Sequence, residues 1–335
     1  MNIYTIATMA GVSPSTVSKV INNKGNISEE TRQRVLEIIA QNGFQPRICS
    51  NAASNIGVVY RESQGDPFSS SFVSSLLSGI SNFFMETEHN LLLLGAERLP
   101  RKRDQLQVFC HRNHLDGIIF LDLKNKDHYV LELDGIVPMV MLSVDLPESD
   151  TRLSLRPNDY QGAKRAMDYL IRMGHRRIAC AVLDQEYRSH EQRLQAYVDA
   201  LKENGIPYEP MYAFDDSKFD ERSFRILYDS WKQLDMLPTA IFCSNDDTAI
   251  LLLSHLRSMG LSVPQDISIV GFDDYPYSSH LTPALTTVHQ PIRELGQQAA
   301  RSIEYYSRHR CFSPEDRTFS VSDELIIRHS VRKLV

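Results

Sequence analysis

Asn2-Ile3-Tyr4-Thr5-Ile6-Ala7-Thr8-Met9-Ala10-Gly11-Val12-Ser13-Pro14-Ser15-Thr16-Val17-Ser18-Lys19-Val20-Ile21-Asn22 reads as helix, tight turn, helix. Ile3, Ile6, Ala7 and Ala10 recur at helical spacing and give the first helix one apolar face. Gly11 suits the left-handed conformation of a sharp helix exit. Ser13 is a good N-cap, and Pro14 fits the first helical position, where a missing N–H costs nothing. Val17, Val20 and Ile21 form the buried stripe of the second helix, leaving Ser15, Thr16, Ser18, Lys19 and Asn22 on its other faces. A helix bearing short polar side chains and one cation can lie in a DNA major groove. The competing reading is a small helical subdomain with an ordinary solvated face.

Outward from this segment, Ser28-Glu29-Glu30-Thr31 opens a third helix. Ser28 caps it, its two glutamates suit the positive end of the helix dipole, Val35, Leu36, Ile38, Ile39 and Ala40 supply its packing face, and Gly43 stops it. A linker with little apolar content, Arg47 to Asn55, follows Pro46. Residues 1–55 hold five Lys/Arg against three Glu, a balance of +2, so the remainder carries −8 of the net −6. A small basic head on an acidic body suits DNA held by one end only. The 335 residues, 42% hydrophobic and 23% charged, suffice for two or three packed units. No apolar run is long enough to span a bilayer, and no signal peptide stands at the N-terminus. The five cysteines are odd in number, widely spaced and free of any CxxC pair, as expected of reduced thiols in the cytoplasm.

From Ile56 short apolar runs alternate with longer amphipathic ones. Strands are expected at Ile56–Tyr60, Leu91–Leu94, Gly117–Leu121, Met139–Leu142, Ile178–Leu183, Ala240–Ser244 and Ile267–Phe272, with helices over 72–89, 101–113, 160–173, 191–204, 221–234, 247–259 and 293–307. Continuous apolar strands separated by helices mean parallel sheets covered on both faces, with ligands beyond the carboxyl ends of the strands. Two α/β lobes dividing near residue 157 and facing one cleft are the expected arrangement. Four polar clusters fall where that cleft should be: Asn158-Asp159, Arg193, Ser244-Asn245-Asp246-Asp247 and Asp273-Asp274-Tyr275. Carboxylate, carboxamide and guanidinium groups together supply the acceptors and forked donors that sugar hydroxyls need. Phe219, Tyr275 and Trp231 are candidate flat partners for a sugar face, although Trp231 fits a helix core better. Asp246 and Asp247 fit equally well as plain helix caps.

Catalytic readings fare worse. Adjacent Asp273 and Asp274 seldom converge on one bond, and there is no G-x-S-x-G, P-loop or G-x-G-x-x-G. Cys110-His111-Arg112-Asn113-His114 resembles a metal cluster only faintly, because Cys110 points away from the two histidines on a helix and no second ligand pair is near. No catalytic residue, cofactor or metal is expected.

Taken together, the chain resembles the LacI/GalR family of bacterial transcription regulators over nearly its whole length. The resemblance rests on Ile6-Ala7-x-x-Ala10-Gly11-Val12-Ser13-x-x-Thr16-Val17-Ser18, Ser28-x-x-Thr31-Arg32-x-x-Val35 and Gly43-Phe44-x-Pro46 in the head. In the body it rests on Gly174-His175-x-x-Ile178-Ala179, Asn245-Asp246-x-x-Ala249, Val263-Pro264-x-Asp266-Ile267-Ser268-Ile269-Val270-Gly271-Phe272-Asp273-Asp274 and Leu281-x-Pro283-x-Leu285-Thr286-Thr287-Val288. It implies an α/β protein with a three-helix helix-turn-helix head (1–46), a hinge (47–55) and a periplasmic-binding-protein-like core of two Rossmann-like lobes (56–335). Lobe one takes about 56–157 and 290–316, and lobe two about 158–289 and 317–335. It implies a homodimer on a palindromic operator, with DNA contacts from Tyr4, Thr5, Ser13, Pro14, Ser15, Thr16, Ser18, Lys19, Asn22, Arg47 and Ile48. Arg193, Asn245 and Asp273 fall on effector contacts and Gln290 on a cleft position, beside Asp159 and Phe219. Four departures stand out: Thr5 for an acidic residue, Lys19 for the frequent Arg, the inverted pair Asn158-Asp159, and a short linker offering Ala52-Ala53 where relatives push a Leu into the minor groove. The chain ends at Val335 without the heptad helix that makes some members tetramers. The expected function is repression of carbohydrate-use genes, relieved or set by a small sugar in the cleft. A nucleobase corepressor is the runner-up, and a sugar-binding transport receptor is the alternative from another class.

Overall fold

The computed structural model describes residues 3–21, 27–42, 54–61, 68, 70–121, 123–182, 186–215, 220–317, 319 and 323–334. The head is three helices, α1 (Ile3–Ala10), α2 (Pro14–Ile21) and α3 (Glu29–Gln41). Ile6, Ala7, Ala10, Val17, Val20, Val35 and Ile39 close its core. Gly11 takes φ +65° between α1 and α2, and the Ser13 hydroxyl accepts from the Thr16 N–H at 3.1 Å, so turn and cap form as the sequence requires. Ser28 caps α3 through the Thr31 N–H.

The body holds two sheets. The first has the order β2-β1-β3-β4-β5, from β1 (Asn55–Tyr60), β2 (Asn90–Gly95), β3 (Leu115–Phe120), β4 (Met139–Leu142) and β5 (Arg152–Leu155), all parallel. The second has the order β11-β10-β9-β8-β6-β7, from β6 (Ile178–Ala181), β7 (Ala213–Phe214), β8 (Ala240–Cys243), β9 (Ser268–Asp273), β10 (Thr286–His289) and β11 (Glu324–Ile326). Helices α4 (Ser71–Phe84), α5 (Arg103–Arg112) and α10 (Ile292–His309) pack in lobe one, with α11 (Pro314–Arg317) beside β5. Helices α6 (Asp159–Arg172), α7 (Arg188–Glu203), α8 (Glu221–Gln233) and α9 (Asp246–Ser258) pack in lobe two. The chain therefore passes between lobes three times: from β5 to α6, from β10 to α10, and from α11 to β11.

Four strands escape the apolar-run criterion. β5 alternates Arg152 and Ser154 with leucines yet is buried throughout, and β10 opens on two buried threonines. β7 is only two residues long, and β11 is an exposed edge. β11 runs antiparallel to β10, the one antiparallel pairing between named strands among the described residues. It returns from the third crossover to cover the sheet edge, a common use of an antiparallel strand.

Two glycines set the packing of lobe one. A Cβ at Gly79 of α4 would overlap the Arg293 carbonyl oxygen, and one at Gly296 of α10 would overlap that of Leu76. The two helix backbones thus meet directly. Gly79→Ala is expected to force them apart and cost about 1–3 kcal/mol or more, as overpacking does. Urea unfolding with an unshifted midpoint would refute this.

At the opposite end from the cleft, Ser54 anchors the chain where it leaves the linker. Its hydroxyl donates to Asp116 at 2.6 Å and lies 2.6 Å from His89 Nδ1, whose Nε2 meets Glu304 at 2.7 Å. The linker's exit is thereby tied to β3 and α10.

Candidate functional site

Strands β6, β8 and β9 lie side by side in their sheet. Arg193, one turn and more into α7, reaches back to the ends of β8 and β9. It is 3% exposed and sits over the Phe272 ring, with its guanidinium carbon 3.8 Å from the centroid. Its Nε and Nη2 both donate to Asp159 Oδ1, at 3.1 and 2.8 Å. Nη2 also reaches Asp273 Oδ1 at 3.4 Å and Gln290 Oε1 at 3.2 Å, and Nη1 donates to the Ser244 carbonyl. Gln290 Nε2 closes the ring by donating to Asp159 Oδ1 at 3.2 Å. Asp159, Arg193, Asp273 and Gln290 therefore form one buried cluster, and Gln290 sits on the crossover between lobes.

The charges respond to each other. Burial opposes the Arg193 charge, but the Asp159 and Asp273 carboxylates outweigh it and raise its pKa above the usual value. Burial pushes Asp273 up to about 7 against the pull of Arg193. Tyr275, 4% exposed, donates to Asp273 Oδ2 at 2.8 Å and presents its hydroxyl rather than a free ring face.

Asp273 and Asp274 both adopt the left-handed region, φ 102° and 54°. Such a backbone costs on the order of 1–3 kcal/mol per residue and is kept only where surroundings enforce it. Its effect is to part the two carboxylates. Asp273 enters the cluster, while Asp274 binds Arg328 at 2.6 Å and His289 at 3.1 Å. Asp246 is structural: it accepts from the Tyr275 N–H, Ser278 and Thr287 and so pins the segment between β9 and β10. Burial, partly offset by those hydroxyls, moves Asp246 up to about 6.

The other expected residues divide plainly. Asn245 caps α9 through the Thr248 N–H at 2.7 Å and stays outside the Arg193 cluster. Trp231 is fully buried among Tyr212, Phe214 and Phe224, so it is core and not a sugar platform. Phe219, Asn22, Arg47 and Ile48 lie outside the described residues. On the head, Tyr4, Thr5, Ser13, Ser15 and Lys19 are exposed, and Pro14, Thr16 and Ser18 are half-buried. Thr16 shares its hydroxyl with Ser13 at 2.9 Å. Burial pushes the Cys110 thiol up to about 12, which leaves it protonated at neutral pH. Among the described residues no group of three His, Cys, Asp or Glu could hold a metal ion. No helix among them is long and apolar enough to cross a membrane.

Sequence reasoning missed the groups that bridge the lobes. Lys124, after β3, meets Glu186, before α7, at 2.6 Å, and Lys126 joins it. Ser71 of α4 lies 2.9 Å from the Tyr277 hydroxyl, which donates to Asp247 at 2.5 Å. Arg188 of α7 meets Asp145, after β4, at 2.5 Å. Alternating charges beside the cleft-forming loops were the available signal, but pairing them requires the lobes' relative position.

A helix-turn-helix head on a two-lobed core, with a buried polar cluster at the lobe crossover, defines a ligand-responsive DNA-binding transcription regulator. Residues 2–47 match the model of the bacterial regulatory proteins of the lacI family, and residues 167–331 match a periplasmic binding protein-like domain. The chain is 30% identical to "Probable HTH-type transcriptional repressor ExuR" of Bacillus subtilis (strain 168), across 100% of this chain and 99% of that protein. It is 28% identical to the HTH-type transcriptional repressor PurR of Vibrio campbellii (strain ATCC BAA-1116), with 99% of each covered. Among solved structures, the transcriptional regulator CelR in complex with cellobiose superposes with a TM-score of 0.69 at 25% identity, covering 98% of this chain and 99% of that one. The chain belongs to the LacI family of bacterial transcription regulators.

Proposed function

We propose that this protein represses carbohydrate-use genes, as a homodimer on a palindromic operator in the bacterial cytoplasm, and that a small saccharide in the inter-lobe cleft changes its grip on DNA. The observation that carries the effector reading is the Asp159–Arg193–Asp273–Gln290 cluster, which offers carboxylate acceptors, a forked cation and a carboxamide at one point. Each saccharide hydroxyl both gives and takes a hydrogen bond, and such a mixed set serves it. The ligand shifts the equilibrium between lobe arrangements only by its differential affinity for them. The cellobiose complex of CelR accords with this reading. The nucleobase reading draws on the likeness to PurR.

A thermal-shift screen of D-ribose, D-glucose, cellobiose and hypoxanthine tests the choice. A ligand at a hundredfold excess over its dissociation constant stabilises by about 2.7 kcal/mol. Stabilisation by hypoxanthine alone would reject the carbohydrate reading.

For DNA, Ser15, Thr16 and Lys19 are the proposed readers, with Tyr4, Thr5, Ser13, Pro14, Ser18, Asn22, Arg47 and Ile48 around them. Lys19→Ala is expected to weaken binding to all sequences and to lower the salt slope by about one unit if it holds a phosphate. Ser15→Ala is expected to relax sequence preference instead. Selection from random duplexes that recovers no palindrome would count against the whole scheme.

A further inference from the structure

Arg188, at the start of α7, has one nitrogen engaged across the cleft and another unused. Its Nε donates to Asp145 Oδ2 of lobe one at 2.5 Å, and Arg156 holds the other oxygen of Asp145 at 2.5 Å. Its Nη1 is buried and has no hydrogen-bond partner. Facing it at 3.7 Å is Asp159 Oδ2, also buried and also without a partner. The asymmetry within Asp159 is marked: Oδ1 takes both Arg193 nitrogens and Gln290, while Oδ2 takes nothing.

A separation of 3.7 Å exceeds hydrogen-bond length, so the two groups attract each other as an ion pair while donor and acceptor stay unbonded by hydrogen. Buried polar groups are almost always satisfied, and an unmatched pair marks a place for a third group. One atom can serve both only if it accepts from Nη1–H and donates to Oδ2. A hydroxyl oxygen does so. A nucleobase carbonyl only accepts, and a ring N–H only donates.

We propose that Arg188 and Asp159 together read a single hydroxyl of the effector, and that the Arg188–Asp145 link converts occupancy of that position into closure of the lobes. This rests on the saccharide reading above and adds to it the specificity-determining residue. Asp159 and Arg188 belong to lobe two and Asp145 to lobe one, so a hydroxyl that immobilises the guanidinium also fixes the bridge. The rest of the cluster orients the sugar, whereas Arg188 connects recognition to movement.

Calorimetry with D-ribose, D-glucose and cellobiose, each beside its monodeoxy derivatives, tests the proposal on the wild-type protein, Arg188→Lys and Asp145→Asn. Lysine keeps the charge but lacks the fork. In the wild type, one deoxy position should lose about tenfold or more in affinity, because the site's polar groups are then left unpaired. In Arg188→Lys that loss should shrink below about threefold, with the thermal midpoint nearly unchanged. In Asp145→Asn discrimination should persist, while the ligand-induced fall in the radius of gyration by X-ray scattering should disappear. Equal discrimination in Arg188→Lys and wild type, or undiminished compaction in Asp145→Asn, would overturn the proposal while leaving saccharide binding intact. Absence of binding by all three sugars would instead overturn the carbohydrate reading and the hydroxyl assignment with it.

Discussion

Arg193→Ala is expected to destabilise lobe two by roughly 3–5 kcal/mol and to abolish the response to effector. Removing one partner of a buried ion pair leaves the other charge uncompensated, and that penalty sets the size of the effect. Here Asp273, 4% exposed, loses its cation, and Asp159, 1% exposed, keeps only Arg188 at 3.7 Å. The Ser244 carbonyl and Gln290 Oε1 lose a donor as well. Arg193→Lys should recover little, since one ammonium cannot span the forked contacts or lie on the Phe272 ring. Asp273→Ala should cost less stability, because Arg193 keeps Asp159, yet should also weaken effector binding. The head has its own core, so DNA binding should survive in both variants. Guanidinium unfolding and calorimetry read the two effects separately. A stable Arg193→Ala protein with unaltered ligand affinity would remove this residue from the site.

The stability that three buried aspartates contribute is expected to fall as pH rises from about 5 to 8, against the opposite trend of the buried His175 and half-buried His111, whose pKa burial lowers, and Asp323→Asn is expected to remove part of that fall. Asp323 precedes β11, is 2% exposed, and neither carboxyl oxygen has a hydrogen-bond partner. Burial, and then the nearby Asp159 charge, push it up to about 7. Asp273 stands at about 7 and Asp246 at about 6, also chiefly through burial. In the unfolded chain all three return to the ordinary aspartate range near 3.9. The folded state thus binds these protons more tightly. The stability they contribute is complete below about pH 4 and is lost as pH passes through 6 to 7. At pH 8 a buried carboxylate without donors costs on the order of 1–3 kcal/mol. Asp323→Asn should therefore raise the thermal midpoint at pH 8 and leave it nearly unchanged at pH 5. A variant whose midpoint runs parallel to the wild type across that range would contradict this account.

Much of the architecture was legible in local pattern. The head could be read because caps, turns and 3.6-residue periodicity act within a few residues: Gly11 and Ser13 occupy the conformations their chemistry favours. Six of the seven apolar strand segments could be read because parallel strands inside a sheet are buried, whereas β2, at the sheet edge and partly exposed, could be read only from its run of leucines. β5 and β10 could not, because their polar residues are buried only by the fold: Arg152 and Ser154 by packing, and Thr286 and Thr287 by packing and by hydrogen bonds to Arg328 and Asp246.

The candidate site divides along the same line. Residue types alone placed Arg193, Asp159 and Asp273 at strand and helix ends facing a cleft, and motif position added Gln290. Asn245 looked equivalent by the same criterion, and the folded chain adds that its Oδ1 caps α9. Trp231 goes to the core, where the surrounding rings come from segments that only the fold brings together. The sequence by itself therefore determined the helix-turn-helix head, the alternating α/β body and the chemical character of the cleft, because each follows from short-range rules. The tertiary structure alone decided which side chains meet. Arg193 binds partners 34, 80 and 97 residues away, and Arg188 reaches 43 residues back to the other lobe. Hydrogen bonds and charge burial depend on separations of a few ångströms, and no local pattern encodes such separations between segments so far apart in the chain.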